Sequence, residues 1–276
     1  MTQIGRGNPN YVVRLPSDDN ATFALSWGTS THTGRVRTAN EDSYLAQSPI
    51  FAVADGMGGH AAGDFASAAV VTRLAELTVN MFVPPGAIDR ALAAAVTDIG
   101  RGTGRVDGGT GTTVTGVGLM LAETQPCWAV FNIGDSRVYA LTGDSLEQIT
   151  VDHSVVQELI DSGAITDAEA VTHPQANVIT RAVGINELPV PDYRVLPVVA
   201  DQRFLLCSDG LTREVTDIGL KRILAAGHSA QATAEGLVEM AVSHGGRDNV
   251  TAIVLDIVSP SADRVPLAKP EVRRRH

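Results

Sequence analysis

Apolar and polar positions alternate over most of the chain in short, strand-like runs, broken by a few stretches of helical period. Residues 21–27 alternate apolar with small side chains and predict a first strand; residues 28–40, rich in hydroxyl and turn residues, predict a loop. Residues 43–46 and 50–54 read as two short strands. Residues 61–82 are alanine-rich and periodic, predicting a long helix ended by Pro84 and Pro85, with a second helix over 88–99. A glycine-rich connection, 100–111, then leads to strands over 113–121, 128–133, 137–141 and 146–149, separated by turns such as Thr142-Gly143-Asp144. A short helix is expected at 154–162 and a mobile, irregular loop at 163–184, which contains Pro174. Strands follow at 190–199, 203–207 and 250–258, with helices at 220–226 and 230–243. Residues 1–20, polar and punctuated by Gly5, Gly7, Pro9 and Pro16, are expected to form a flexible leader, and 259–276 a flexible tail, leaving a folded domain over 21–258. Strands outnumber βα alternations and helices come in consecutive pairs. That pattern predicts an α+β protein whose antiparallel sheets are covered by helices, not a doubly wound parallel sheet.

Composition narrows the function. The net charge of −10 offers no basic face for nucleic acid, and the one basic cluster, Arg273, Arg274 and Arg275, reads as a solvated tail. Cys127 and Cys207 lie far apart in apolar runs, as buried free thiols do, which favours a reducing compartment. No basic-then-apolar leader and no apolar run of roughly 20 residues is present, so the expected location is cytoplasmic, away from membrane.

The chemistry lies in where the acids fall. Phe51-Ala52-Val53-Ala54 runs into Asp55-Gly56-Met57-Gly58-Gly59. Phe131-Asn132-Ile133 runs into Gly134-Asp135-Ser136, and Phe204-Leu205-Leu206-Cys207 into Ser208-Asp209-Gly210. Asp248-Asn249 precedes the last strand. One Asp-Gly is ordinary turn chemistry. Four carboxylates at strand mouths, none beside a lysine, would repel one another if the ends converge, and a hard divalent cation offsets that most economically. The histidines show no HxH or HExxH spacing, which disfavours zinc; His60 and His153 read as capping or structural. Glu41 and Asp42 can hold metal-coordinated waters, and Arg37, four residues before Glu41, offers a planar fork matched to phosphate oxygens. The segment Gly56-Met57-Gly58-Gly59-His60-Ala61 also fits the GxGxxA dinucleotide pattern, although no acid ends a second strand at the expected distance.

Taken in order, residues 37–42, 55–59, 111–113, 134–137, 152–154, 208–210 and 247–249 resemble the metal-dependent protein serine/threonine phosphatases of the 2C type, especially the bacterial members. The resemblance implies a four-layer α-β-β-α sandwich of two antiparallel sheets flanked by helix pairs. It implies two core Mn²⁺ or Mg²⁺ ions bridged by Asp55, with the Gly56 carbonyl on one and Asp209 and Asp248 on the other. Glu41 and Asp42 would act through water. Asp135 and Asp209 would help hold a third, weaker ion, touched by Asn177 from a variable flap over 152–184. Arg37, Asp55 and Asp209 carry catalysis in this reading, with phosphorylated proteins as partners and direct attack by an activated water, without a phosphoenzyme. Met57 stands where some eukaryotic members carry a histidine. Leaving-group protonation therefore falls to a metal-associated water or to another group such as His60. A catalytically inactive phosphoprotein binder is the remaining alternative, and the presence of all the core acids disfavours it.

Overall fold

Alternation along the central strands sends successive side chains into two separate apolar layers, and this sets the architecture. The computed structural model describes residues 1–16, 18–58, 61–102, 109–185 and 190–258. Its strands are β1 (Gln3–Ile4), β2 (Asn8–Leu15), β3 (Asp18–His32), β4 (Asp42–Gln47), β5 (Ile50–Met57), β6 (Gly111–Thr112), β7 (Val114–Ala122), β8 (Gln125–Ile133), β9 (Arg137–Thr142), β10 (Ser145–Gln148), β11 (Asp192–Pro197), β12 (Arg203–Cys207) and β13 (Val250–Val258). The helices are α1 (Ala61–Ala75), α2 (Ala87–Gly102), α3 (Val155–Asp161), α4 (Asp167–Ala170), α5 (Asp209–Thr212), α6 (Asp217–Leu224) and α7 (Ala230–His244). One sheet runs β1-β4-β5-β7-β8-β11, with β6 on β5; the other runs β10-β9-β12-β13-β3-β2. The pairings are antiparallel except β1 with β4, which is parallel.

Phe51 and Val53 of β5, Trp128 and Val130 of β8, Phe204 and Leu206 of β12, and Ile253, Leu255 and Ile257 of β13 meet between the sheets. The alternate residues face outward. Ile50, Ala52 and Ala54 pack against Val70 and Leu74 of α1 and Leu92 and Ile99 of α2. Leu205, Cys207, Ala252 and Val254 pack against Leu220 of α6 and Leu237 and Ala241 of α7. Three buried layers between four structural layers give the expected α-β-β-α sandwich.

The flexible leader is a correction. Residues 3–4 and 8–15 are strands: β2 pairs with β3 and buries Val13 and Leu15, and β1 pairs with β4. Gly5, Gly7 and Pro9 obscured the run, but Val12-Val13-Arg14-Leu15 has the strand period. Deleting residues 1–16 should therefore destabilise the protein by about 3–6 kcal/mol, from Val13 and Leu15 at about 1.5–3 kcal/mol each. Chemical denaturation checks this, and an unchanged midpoint would show that the segment is dispensable. Two smaller differences concern boundaries. β3 continues to His32, into the expected loop, because its second half, from Ala24 to His32, pairs with β13. The helix expected to reach residue 82 ends at Ala75 and tightens to a 3₁₀ turn over Glu76–Val79. The stretch 163–184 is largely irregular but contains α4, opened by a capping box between Thr166 and Glu169. The tail at 259–276 lies outside the described residues.

Candidate active site

At one end of the sandwich the layer between the sheets turns from apolar to polar. On β5, Phe51 and Val53 are followed on the same face by Asp55, and Asp42 of β4 is its direct cross-strand partner. On β12 and β13, Leu206 and Ile253 give way to Ser208 and Thr251. Their hydroxyls donate to the fully buried Asp42 carboxylate at 2.9 and 2.6 Å. Above this floor lies a cavity of about 370 Å³ whose lining includes Arg37, Glu41, Asp55, Gly56, Asp135, Asn177, Asp209 and Asp248. Every candidate site residue therefore reaches one place except Asp42, which lies beneath it. His60, together with Gly59, falls outside the described residues.

Local packing explains the convergence. A side chain at Gly56 would meet the Gly63 carbonyl oxygen of α1 at 2.2 Å, so only glycine lets α1 close over the end of β5. A side chain at Gly210 would meet the Asn249 carbonyl oxygen at 2.0 Å, and this close approach sets Asp209 beside Asp248. Asn249 binds the opposite loop. Its Nδ2 donates to the Thr33 and Ala39 carbonyls, both at 2.9 Å, and its Oδ1 accepts from the Glu41 amide at 2.8 Å, fixing the segment that carries Arg37 and Glu41. The Asp55 amide donates to Thr113 Oγ1 at 3.0 Å, and that hydroxyl is 2.8 Å from Ser136 Oγ, beside Asp135. His153 proves structural: Nδ1 accepts from the Gly134 amide at 3.1 Å, so Nε2 carries the proton and donates to Asp192, also at 3.1 Å. Arg137 grips Asp152 with a bidentate pair that includes a 2.7 Å bond, holding the same turn from the other side.

Burial pushes the Asp42 carboxyl up to about 6, against the pull of its two hydroxyl donors. Burial, then the charges of Asp42, Asp209, Asp135 and Asp248, hold Asp55 well above the carboxylate range. Asp209 is raised likewise by burial and by Asp135, and Asp135 by burial, with Arg213 opposing both shifts. A raised acid contributes stability that is present below its ordinary value and lost as pH rises through the folded one. For Asp42 that window runs from 3.8 to about 6. In chelating buffer the denaturation midpoint should therefore fall between about pH 4 and pH 6, and Mn²⁺ should flatten the slope. A midpoint that rises over this interval would contradict the electrostatics.

The donor set fits a hard divalent cation. It is made of oxygens alone, and two buried carboxylate oxygens, Asp42 Oδ1 and Asp209 Oδ1, have no hydrogen-bond partner among the described residues. The acids do not close on a point by themselves: among the described residues no three acidic, histidine or cysteine side chains form a ready-made ligand set. Cationic side chains stand among them instead. Arg37 Nη2 lies 2.9 Å from Asp248 Oδ2, and Arg213 pairs with Asp209, with Asp248 at 3.2 Å and with Asp135 at 3.9 Å. Sequence reasoning missed Arg213. Its signal was the spacing Asp209 to Arg213, i to i+4 on a helix. The dinucleotide alternative fails on topology. β5 pairs antiparallel with β4, β6 and β7, whereas that motif needs parallel strands around its helix.

The pattern of the family described as protein phosphatase 2C matches residues 31–240. The serine/threonine protein phosphatase PstP of Mycobacterium tuberculosis is 39% identical over 246 residues, 86% of this chain and 46% of that protein. The serine/threonine phosphatase stp of Listeria monocytogenes is 34% identical over 239 residues, 82% of this chain and 93% of that protein. The crystal structure of the catalytic domain of PstP in complex with two manganese ions superposes with a TM-score of 0.73 at 37% identity, covering 85% of this chain and 99% of that one. An antiparallel sandwich with an acidic cavity at one end, and an ordered sequence match over most of its length, define one class: the chain belongs to the protein phosphatase 2C family. It spans about half the length of the mycobacterial relative. Among the described residues no helix is long and apolar enough to cross a membrane.

Proposed function

We propose that this chain hydrolyses phosphoserine and phosphothreonine in proteins, with Mn²⁺ or Mg²⁺ held in the acidic cavity. The observation that carries the reading is the meeting of Asp55, Asp209, Asp248 and Asp135 with Arg37 in one cavity. Asp55, the Gly56 carbonyl, Asp209 and Asp248 are the residues that would hold the core ions, Glu41 and Asp42 acting through water; Asp135 and Asn177 line the same cavity. When bound, divalent cations neutralise phosphoryl oxygens and make water a competent nucleophile at neutral pH. Arg37 binds and orients the phosphoryl group through its planar donors. The Asp42 pair with Ser208 and Thr251 fixes the floor beneath Asp55.

Several features support direct displacement without a phosphoenzyme. The Thr113 hydroxyl in the wall is already engaged with the Asp55 amide and Ser136. Both cysteines are buried away from the cavity, and burial pushes Cys207 up to about 12, so it is not a thiolate at neutral pH. Met57, also in the wall, has no proton to give to the leaving oxygen. The two unpaired cysteines favour a reducing, cytoplasmic setting, where products of serine/threonine kinases are the substrates. A panel of phosphoserine, phosphothreonine and phosphotyrosine peptides with Mn²⁺ tests this. The first two should be hydrolysed faster, and a clear lead for phosphotyrosine would overturn the substrate class.

A further inference from the structure

Arg213 follows α5, and its side chain turns back over the first residue of that helix. One guanidinium nitrogen, Nη2, pairs with Asp209 Oδ2 and lies 3.9 Å from Asp135 Oδ2; the other, Nη1, lies 3.2 Å from Asp248 Oδ2. The side chain is about two-thirds buried, at 32% exposure, and lines the cavity. Three carboxylates from three separate segments thus share one cation supplied by the chain. We propose that Arg213 is a resident counter-cation seated between Asp135 and Asp209, so that these outer acids need no third divalent ion. The inference rests on the proposed divalent-cation centre. It follows from position and charge. An ion placed between Asp135 and Asp209 would meet a guanidinium that pairs with Asp209 and stands 3.9 Å from Asp135, and would have to displace it or bind against its charge.

Mn²⁺ binding by the full chain decides the matter, read by calorimetry and by the electron paramagnetic resonance of free Mn²⁺. Relative to the unaltered protein, R213Q should gain an additional ion, or bind its weakest ion more than about tenfold more tightly. R213Q combined with D135N should lose that gain. R213K retains the charge and should match the unaltered protein. Circular dichroism in Mn²⁺ confirms that each variant is folded. Equal ion count and affinity in R213Q and the unaltered protein would overturn the proposal while leaving the metal-dependent reading intact, as would an added ion in R213K. Absence of Mn²⁺ binding in the unaltered protein and every variant would overturn both.

Discussion

Asp55→Asn should lower phosphopeptide hydrolysis by more than about 100-fold while leaving the denaturation midpoint in chelating buffer unchanged or higher. The two effects have one cause. Asp55 is held among Asp42, Asp209, Asp135 and Asp248, and burial with those charges drives its carboxyl upward. Removing that charge relieves repulsion in the metal-free protein. The same change deletes the anionic oxygens at the centre of the proposed cation site. Losing a group that merely orients a metal ligand costs about 10–100-fold, so losing a central ligand should cost more. Chelation of the unaltered protein should reproduce the loss, and Asp55→Asn should be insensitive to further chelation. Asparagine keeps the side-chain volume, so cavity formation is not a competing explanation. Substantial activity in Asp55→Asn, with Mn²⁺ dependence intact, would remove Asp55 from the centre of the site.

Most of this site was legible in the sequence because its acids sit at the ends of buried strands. A strand such as 50–54 announces itself by its apolar run, and its partner layer must bring its end to one edge of the sandwich. Asp55 and Asp209 are therefore visible in the sequence as strand-mouth carboxylates, and Asp248 by its place just before β13. Arg213 was not, because its importance depends on where α5 points, and a four-residue helix leaves almost no periodic signal. Asn249 was visible as part of a motif, but its work is to bond the Thr33 and Ala39 carbonyls and the Glu41 amide, more than 200 positions away in sequence. No local pattern encodes such a contact. The N-terminal strands were lost for a different reason. Glycine and proline at 5, 7 and 9 read as punctuation, whereas pairing with β3 and β4 overrides that local preference. Asp42 is intermediate: the sequence suggests a holder of metal-coordinated water, and the structure places it below the cavity, where Ser208 and Thr251 hold it.

Arg37→Ala should raise KM for phosphopeptides by about 10–100-fold while changing kcat by less than about threefold. Arg37 is the most exposed charged group at the site, with 54% of its side chain accessible, and it stands on the loop before β4. Its Nη2 donates to Asp248 at 2.9 Å, which orients the guanidinium across the cavity mouth. A guanidinium has five donors in a rigid fork, so this bond leaves others to receive phosphoryl oxygens. Hydrogen bonds to charged groups contribute about 1.5–3 kcal/mol, the source of the expected change in KM. The loss should fall on binding because the phosphoryl group carries its charge in the ground state as well as in the transition state. Collapse of the site is not expected as a side effect, since Asp248 keeps Arg213 at 3.2 Å and Asn249 keeps the loop. Arg37→Lys should recover only part of the affinity, because an ammonium is a point charge and cannot form the paired contact. Steady-state kinetics with one phosphopeptide over a wide concentration range separates the cases. A fall in kcat at constant KM would mean that Arg37 acts on charge that develops during the reaction, and unchanged kinetics would reduce it to a surface partner of Asp248.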